Sequence, residues 1–382
     1  MLTISRRTPH SSGYLPTLDG WRALSILAVI LFHDSLHTFG PLSTRWFYEY
    51  GSYGVDVFFA ISGFLICSRL LDEERVTGSI DLRRFYARRA LRILPPAVAY
   101  LLVLAVLSRK LDLRVGSGEW LESLLFARNY GHLFVHRVGW YTGQFWSLAL
   151  EEQFYFIFPA ILVFAALRNR IQVLTALILG VFIHRALILR SHTWNHVRFH
   201  TDVRVDAILV AALFAVLAAD PLQRMVISRW LRFWPLLVVA VVCIIPLGQG
   251  KNWQITLLTL LTPCVVLGST LNSEGVFGRF LEWAPLRYLG RISYSLYLWQ
   301  QLFFTHHFEP DCPTSRGSFG RRILLMAICA IGSYYLIEKP FARFSRRLVP
   351  SATPDREEDS KAFRLVESDK SIPSYGEGVL SE

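Results

Sequence analysis

The chain has 382 residues, of which 53% are hydrophobic and only 18% are charged, and its formal net charge is +11. This composition is typical of an integral membrane protein and excludes a soluble enzyme. The positive charge therefore indicates basic loops beside an anionic membrane leaflet rather than a nucleic-acid partner. The five cysteines have neither CxxC nor metal-ligand spacing, so the sequence predicts no disulfide framework and no zinc site.

Apolar runs long enough to cross about 30 Å of hydrocarbon recur along the chain. They predict an all-α integral membrane protein with about ten transmembrane helices and a short disordered C-terminal tail. The predicted spans are 21–38, 54–71, 94–108, 145–167, 171–190, 204–219, 232–248, 253–270, 289–307 and 321–337.

The densest basic cluster lies in the second predicted loop and comprises Arg69, Arg75, Arg83, Arg84, Arg88, Arg89 and Arg92. The positive-inside rule places this loop in the cytoplasm, and with it both termini. The chain then divides into a cytoplasmic N-terminal segment (1–14), a membrane domain (15–345) and a cytoplasmic tail (346–382). The tail turns polar and acidic, which predicts disorder.

The first span carries two ionisable residues, Arg22 and His33. Eleven residues at about 100° each come within about 20° of three full turns, so both side chains lie on one helix face, roughly 16 Å apart along the axis. An ionisable residue inside a span is costly and predicts a functional role. The alternative is a histidine that hydrogen-bonds a neighbouring helix as a structural contact. Asp34 points about 100° away from His33, so we do not predict it as a triad partner.

Two acids, Glu151 and Glu152, lie inside the fourth span, where a carboxylate needs a partner or a wet cavity. A structural salt bridge to Arg22 or Arg204 is the alternative to a functional role. Asp56 opens the second span, and N-capping of that helix explains it about as well as a position in a polar cavity.

At the start of the third span, Arg84, Arg88 and Arg92 share one helical stripe, and Arg89 lies three residues before Arg92. Such a cluster can grip phosphates through bidentate hydrogen bonds. The alternative is an interfacial helix anchored to anionic lipid.

The fifth predicted outer loop contains His192, His196 and His200 at spacings of four, followed by Asp202. On a helix this spacing could ligate zinc, but nothing else in the sequence indicates a metal and we predict none. Trp194, together with these histidines, could instead stack on a sugar acceptor.

A series of segments, taken in order, resembles the membrane acyltransferase-3 family, whose members O-acylate sugars, lipids and natural products. The segments are Leu18–Arg22 with Phe32 and His33, Gly54–Phe59 with Ser62–Leu65, Phe85–Pro95, Phe145–Tyr155, Thr201–Asp206, Leu289–Trp299 and Ile337–Phe341. The resemblance extends from residue 15 to about residue 345 and is specific in combination.

The resemblance implies that Arg22 and His33 are the family's Arg-x10-His catalytic pair, with His33 as general base. Imidazole suits that role because its pKa is close to neutral. Glu151 is favoured over Glu152 as the cavity-facing acid, since the second position can be aromatic in the family. The family's Arg-x-x-Arg falls on Arg89 and Arg92.

The predicted site therefore has three parts. Its catalytic residues are His33, Arg22 and Glu151; its acyl-CoA phosphate ligands are Arg89, Arg92 and Arg88; its acceptor or cavity residues are Arg204, Asp206, Trp194 and Asp56.

The chain departs from the family pattern at two positions. Gln300 occupies a position that is often His, so we assign it no proton transfer, and Ala211 replaces a frequent glycine, which affects only local helix packing.

The function predicted is a multi-pass O-acyltransferase of the bacterial inner membrane. It would pass an acyl group, most simply acetyl, from cytoplasmic acyl-CoA to a hydroxyl of a saccharide or glycolipid, with acyl-CoA as a substrate and no permanently bound cofactor. The alternatives are a transporter or flippase of lipid-linked glycans and a membrane receptor. A transporter would not require the Arg22/His33 stripe with the basic second loop, and a receptor leaves His33 and Glu151 unexplained.

Overall fold

The computed structural model describes residues 14–34, 50–113, 115–133, 139–190, 197–244, 252–304 and 318–348. Within these ranges the regular elements are helices, which confirms the all-α prediction. The α-helices are α1 (Pro16–His33), α2 (Gly54–Thr77), α3 (Leu82–Leu111), α4 (Ser117–Leu124), α5 (Phe145–Phe164), α6 (Arg170–Arg190), α7 (Thr201–Arg204), α8 (Asp206–Ala219), α9 (Pro221–Trp230), α10 (Trp234–Ile244), α11 (Asn252–Leu271), α12 (Val276–Leu281), α13 (Ala284–Arg291), α14 (Ser293–Phe303), α15 (Phe319–Ser333) and α16 (Lys339–Leu348).

Seven helical segments of the described chain are long and apolar enough to cross a membrane. They are Gly51–Thr77, Leu82–Leu111, Phe145–Phe164, Leu167–Arg190, Pro221–Ile244, Trp253–Leu271 and Phe319–Leu348. The other three predicted spans coincide with the 18-residue α1, the 14-residue α8 and the 11-residue α14. The membrane class is confirmed, and seven of the ten predicted spans correspond to helices of this length and hydropathy among the described residues.

A tight turn between α2 and α3 sets the position of the basic cluster. Gly78 ends α2 with a φ of 78°, a left-handed conformation that favours glycine. Asp81 then caps α3 by accepting a hydrogen bond from the backbone N–H of Arg84 at 3.0 Å. The end of the bundle that carries this turn is called the basic end below, because Arg88, Arg89 and Arg92 follow within the first turns of α3.

Close helix approaches explain several glycines of the sequence motifs. Gly63 on α2 lies against the Ile208 carbonyl of α8, and a Cβ there would have no room. Gly290 on α13 lies equally close to the backbone of Asp19 on α1. Such contacts bring Asp19 and its neighbour Arg22 against the bundle, so the motif glycines position the charged part of the site through packing.

We expect Gly63→Ala to lower the stability of the protein. The added methyl would push α2 away from α8, and overpacking of this kind costs about 1–3 kcal/mol. Gly180→Ala is the matched control, because a Cβ at Gly180 on α6 meets nothing within 4 Å. Thermal unfolding in detergent should show a lower midpoint for Gly63→Ala only. Equal midpoints for the two variants would contradict the packing argument.

Candidate active site

His33 is the last residue of α1 and is held on two sides. Its Nδ1 lies 2.7 Å from Oε1 of Gln300 on α14. Since an amide oxygen only accepts, Nδ1 carries the proton in this hydrogen bond and Nε2 is the acceptor nitrogen. The indole of Trp140 meets the imidazole edge-on, with ring centroids 5.2 Å apart. The arrangement leaves His33 in the form that can take a proton from a substrate.

Gln300 is therefore a site residue that sequence reasoning missed. We assigned its position no proton transfer because it departs from the histidine that is frequent there. The available signal was a pair of consecutive amides, Gln300 and Gln301, within an otherwise apolar and aromatic helix. Both are buried, and a buried amide requires hydrogen-bond partners.

The segment that carries Trp140 is held by a buried network of charges. Arg128 pairs with Glu122 at 2.7 Å and lies 3.6 Å from Glu119. Glu119 in turn accepts a hydrogen bond from the backbone N–H of Gly139 at 2.8 Å. The Trp140 indole N–H donates to the carbonyl oxygen of Gln301 at 2.9 Å. Buried charges are tolerated when paired in this way, and here the pairing fixes the segment beside His33.

At the basic end, the side chain of Arg22 lies near that of Arg92 and far from that of His33. Arg22 pairs with Asp19 at 3.3 Å, and the helix rise puts it about 16 Å below His33. The charged neighbours of Arg92 are Arg22, Arg89 and Glu338. The Arg92 side chain is exposed, and no carboxylate of the described residues lies within ion-pair distance of it. Arg92 is therefore available to bind an anion.

Glu338 is the acid of this cluster, because it lies near both Arg92 and Arg22. It is buried on a π-helical turn (Tyr334–Glu338) between α15 and α16 and accepts a hydrogen bond from the Ser295 hydroxyl at 2.8 Å. Turns of this kind occur frequently at functional sites. Glu338 balances part of the positive charge of Arg22 and Arg92.

The other two predicted phosphate ligands are engaged in ion pairs. Arg89 donates to Glu152 at 3.1 and 3.2 Å, and its guanidinium lies 3.4 Å from the centre of the Tyr155 ring. Arg88 pairs with Glu73 at 3.4 Å. The partner of the two span glutamates is thus Arg89, in place of the Arg22 or Arg204 weighed from the sequence.

Glu151 has different hydrogen-bond partners from Glu152. It accepts hydrogen bonds from the hydroxyls of Ser62 at 3.2 Å and Tyr155 at 3.1 Å, and it lies 3.9 Å from Arg89. One turn away on α5, the Ser147 hydroxyl lies 2.6 Å from that of Tyr297 on α14. Tyr297 is one turn from Gln300, so polar groups on α5 and α14 lead from the basic end towards His33.

The predicted acceptor residues form a separate, paired network. Arg204 pairs with Asp56 at 2.6 Å, so Asp56 has an ion-pair partner across the bundle, and the N-cap residue of α2 is Tyr53 rather than Asp56. Asp206 pairs with Arg185, which is fully buried and which the sequence analysis did not single out. Arg185 also donates to the carbonyl oxygen of Val203 at 3.1 Å. Two acids and two arginines balance in this network, as buried charges require.

Three residues of the histidine-rich loop, His192, Trp194 and His196, lie outside the described residues. His200 is buried and packs against Tyr130, with ring centroids 4.3 Å apart and the two ring planes tilted by 42°. The part of the chain that the structure describes contains no group of three or more His, Cys, Asp or Glu placed to hold a metal ion. Asp34 pairs with Arg322 at 2.7 Å.

Comparison with known proteins decides the family. A family model described as an acyltransferase domain matches residues 15–339. The chain belongs to the membrane acyltransferase-3 family. Membership confirms the family prediction, and the model of this family describes an acyltransferase domain.

Two similar proteins are named as bacterial O-acetyltransferases. The chain is 28% identical to the "Putative peptidoglycan O-acetyltransferase YrhL" of Bacillus subtilis over 90% of its length and 58% of the relative. It is 29% identical to O-acetyltransferase OatA of Staphylococcus aureus strain MRSA252 over 95% of its length and 60% of the relative. The chain thus spans about three-fifths of these relatives. No solved structure matches it significantly.

Proposed function

We propose that this protein transfers an acetyl group from acetyl-CoA to a hydroxyl of a saccharide of the peptidoglycan type. The observation that carries the proposal is the geometry of His33, whose Nδ1 is bound to Gln300 and whose Nε2 is left as acceptor. The relatives named as O-acetyltransferases support the acetyl group, and YrhL supports the saccharide acceptor.

In this proposal Nε2 of His33 takes the proton of the acceptor hydroxyl as its oxygen attacks the thioester carbonyl. A carbon–oxygen bond forms and the carbon–sulfur bond breaks, and the imidazolium then gives its proton to the departing thiolate. The products are the O-acetyl ester and free coenzyme A. A base positioned in this way contributes about 10²–10⁴-fold to the rate.

The donor phosphates are proposed to bind at Arg92 and Arg22. These are the two guanidiniums that lie together at the basic end, and a diphosphate or 3′-phosphate offers the anionic oxygens that such groups bind. Because His33 lies about 16 Å further along α1, the donor must extend its long pantetheine arm along the bundle to present the thioester. Glu151, Ser147 and Tyr297 mark the polar side of that path.

The basic end is proposed to face the cytoplasm, where acetyl-CoA is available, with the acceptor arriving from the opposite end near Arg204. Glu151 would order the donor arm through its hydroxyl partners, and membrane lipids surround the apolar helices.

A sided transfer assay tests the proposed function. The protein is reconstituted in vesicles, and Ser79→Cys in a cysteine-free background reports by labelling which side carries the α2–α3 turn. Radiolabelled acetyl-CoA should support O-acetylation of peptidoglycan fragments only when supplied on the side where the cysteine at position 79 is labelled. Labelled saccharide formed only with donor on the other side would refute the orientation. Absence of labelled saccharide from either side would refute the acceptor and donor proposed.

A further inference from the structure

The side chain of Gln300 makes one hydrogen bond among the described residues, and it is the bond to His33. Gln300 is completely buried on α14, whose residues from Ser295 to Phe303 are all buried. Its amide nitrogen has no partner within the described part of the chain. Burying an amide is costly unless it is hydrogen-bonded. The hydrogen bond to His33 therefore offsets part of the free-energy cost of burying the Gln300 side chain in this core.

Consecutive residues of α14 fix the imidazole in two ways. The Gln300 oxygen binds Nδ1, and the Gln301 carbonyl oxygen holds the indole N–H of Trp140, which meets the imidazole ring edge-on. The hydrogen bond determines which nitrogen carries the proton, and the indole restricts rotation of the ring. A neutral imidazole with its proton on Nδ1 presents Nε2 as a base.

The carboxylate nearest in sequence does not take this role. Asp34 follows His33 directly, but it is buried in an ion pair with Arg322 at 2.7 Å. Arg22 is the other charged group on the same helix face, about 16 Å away. No carboxylate of the described residues bonds His33, so a neutral amide occupies the place where an orienting acid could stand.

We propose that Gln300 is a positioning residue that holds His33 in the Nδ1–H tautomer, with Nε2 directed to the reacting hydroxyl. This inference rests on the proposed role of His33 as base and adds the residue that makes the base competent. Gln300 is also the position in the ninth predicted span where the chain departs from the family pattern. The proposal explains this departure, because the glutamine side chain retains an acceptor for the Nδ1–H of His33.

Nuclear magnetic resonance of the full chain in nanodiscs tests the tautomer directly. With ¹³C- and ¹⁵N-labelled histidine, the His33 signals are assigned by their loss in His33→Gln. The expected result is the Nδ1–H form in the parent protein and a shift towards the Nε2–H form in Gln300→Met, which keeps the length of the side chain and removes the acceptor. An Nε2–H imidazole in the parent, or an unchanged tautomer in Gln300→Met, would overturn the proposal.

Kinetics distinguish positioning from structural support. Gln300→Met should lower kcat roughly 10–100-fold, as loss of one buried hydrogen bond permits, with KM for acetyl-CoA unchanged. Gln300→Glu keeps an oxygen acceptor for Nδ1–H and should recover most of kcat. Equal kcat in both variants, or a change confined to KM, would contradict positioning. The tautomer measurement is independent of turnover, so it remains decisive even if His33→Ala proves active and the role of base is lost.

Discussion

His33→Ala is expected to lower the rate of acetyl transfer by about 10²–10⁴-fold, the contribution of a positioned general base. The variant should still insert and fold, because alanine is well tolerated in an apolar helix and the loss leaves only the Gln300 amide without its partner. Initial rates with acetyl-CoA and peptidoglycan fragments, in protein of matched thermal stability, measure the effect.

The control for this prediction is His184→Ala. His184 is an exposed histidine on α6 that pairs with Asp202 at 2.7 Å on the surface of the bundle, and surface pairs contribute little. Its removal should leave the transfer rate unchanged. Full activity in His33→Ala would remove this histidine from the mechanism.

Arg92→Ala is expected to raise KM for acetyl-CoA by about 10–150-fold, the effect of losing one charge-assisted hydrogen bond to a phosphate. Stability should change little, because the Arg92 side chain is exposed and has no ion-pair partner within the described residues. Measured KM for the saccharide acceptor should stay close to the parent value, since the acceptor binds elsewhere.

Arg89→Ala separates donor binding from stability. This arginine neutralises Glu152 and lies beside Glu151, and removal of one partner of a buried pair costs about 3–5 kcal/mol. We therefore expect a lower unfolding midpoint for Arg89→Ala and a normal one for Arg92→Ala. Arg84→Ala is the control on the same helix, because its pair with Asp81 is half-exposed and contributes less than about 1 kcal/mol. An unchanged donor KM in Arg92→Ala would contradict the phosphate role and favour the lipid-anchor interpretation.

Arg88, Arg89 and Arg92 illustrate how far the sequence could define the site. Their spacing follows from helix periodicity, and all three lie on α3 as the predicted helical stripe requires. Which arginine remains available for an anion depends on Glu73 of α2 and Glu152 of α5. These acids lie 15 and 63 residues from their partners, and no local pattern encodes such pairs.

At the opposite end of the bundle, too, the sequence singled out charged residues but did not indicate how they pair. The sequence singled out Asp56, Arg204 and Asp206, of which the last two belong to a segment that resembles the family. It gave no indication that Arg185 completes their network, since an arginine near a helix end is commonly an interfacial anchor. Only the packing of α6 against α8 buries Arg185 and brings it to Asp206.

The sequence by itself determined the membrane class and indicated seven of the spans, because hydropathy and the 3.6-residue period are local properties of the chain. The tertiary structure decided that Arg22 belongs with Arg92 and that His33 is oriented by Gln300. Those contacts join helices far apart in sequence, Gln300 being 267 residues from His33. Their formation depends on helix approaches such as that of Gly290 to Asp19, which are set by the fit of whole helix surfaces rather than by neighbouring residues.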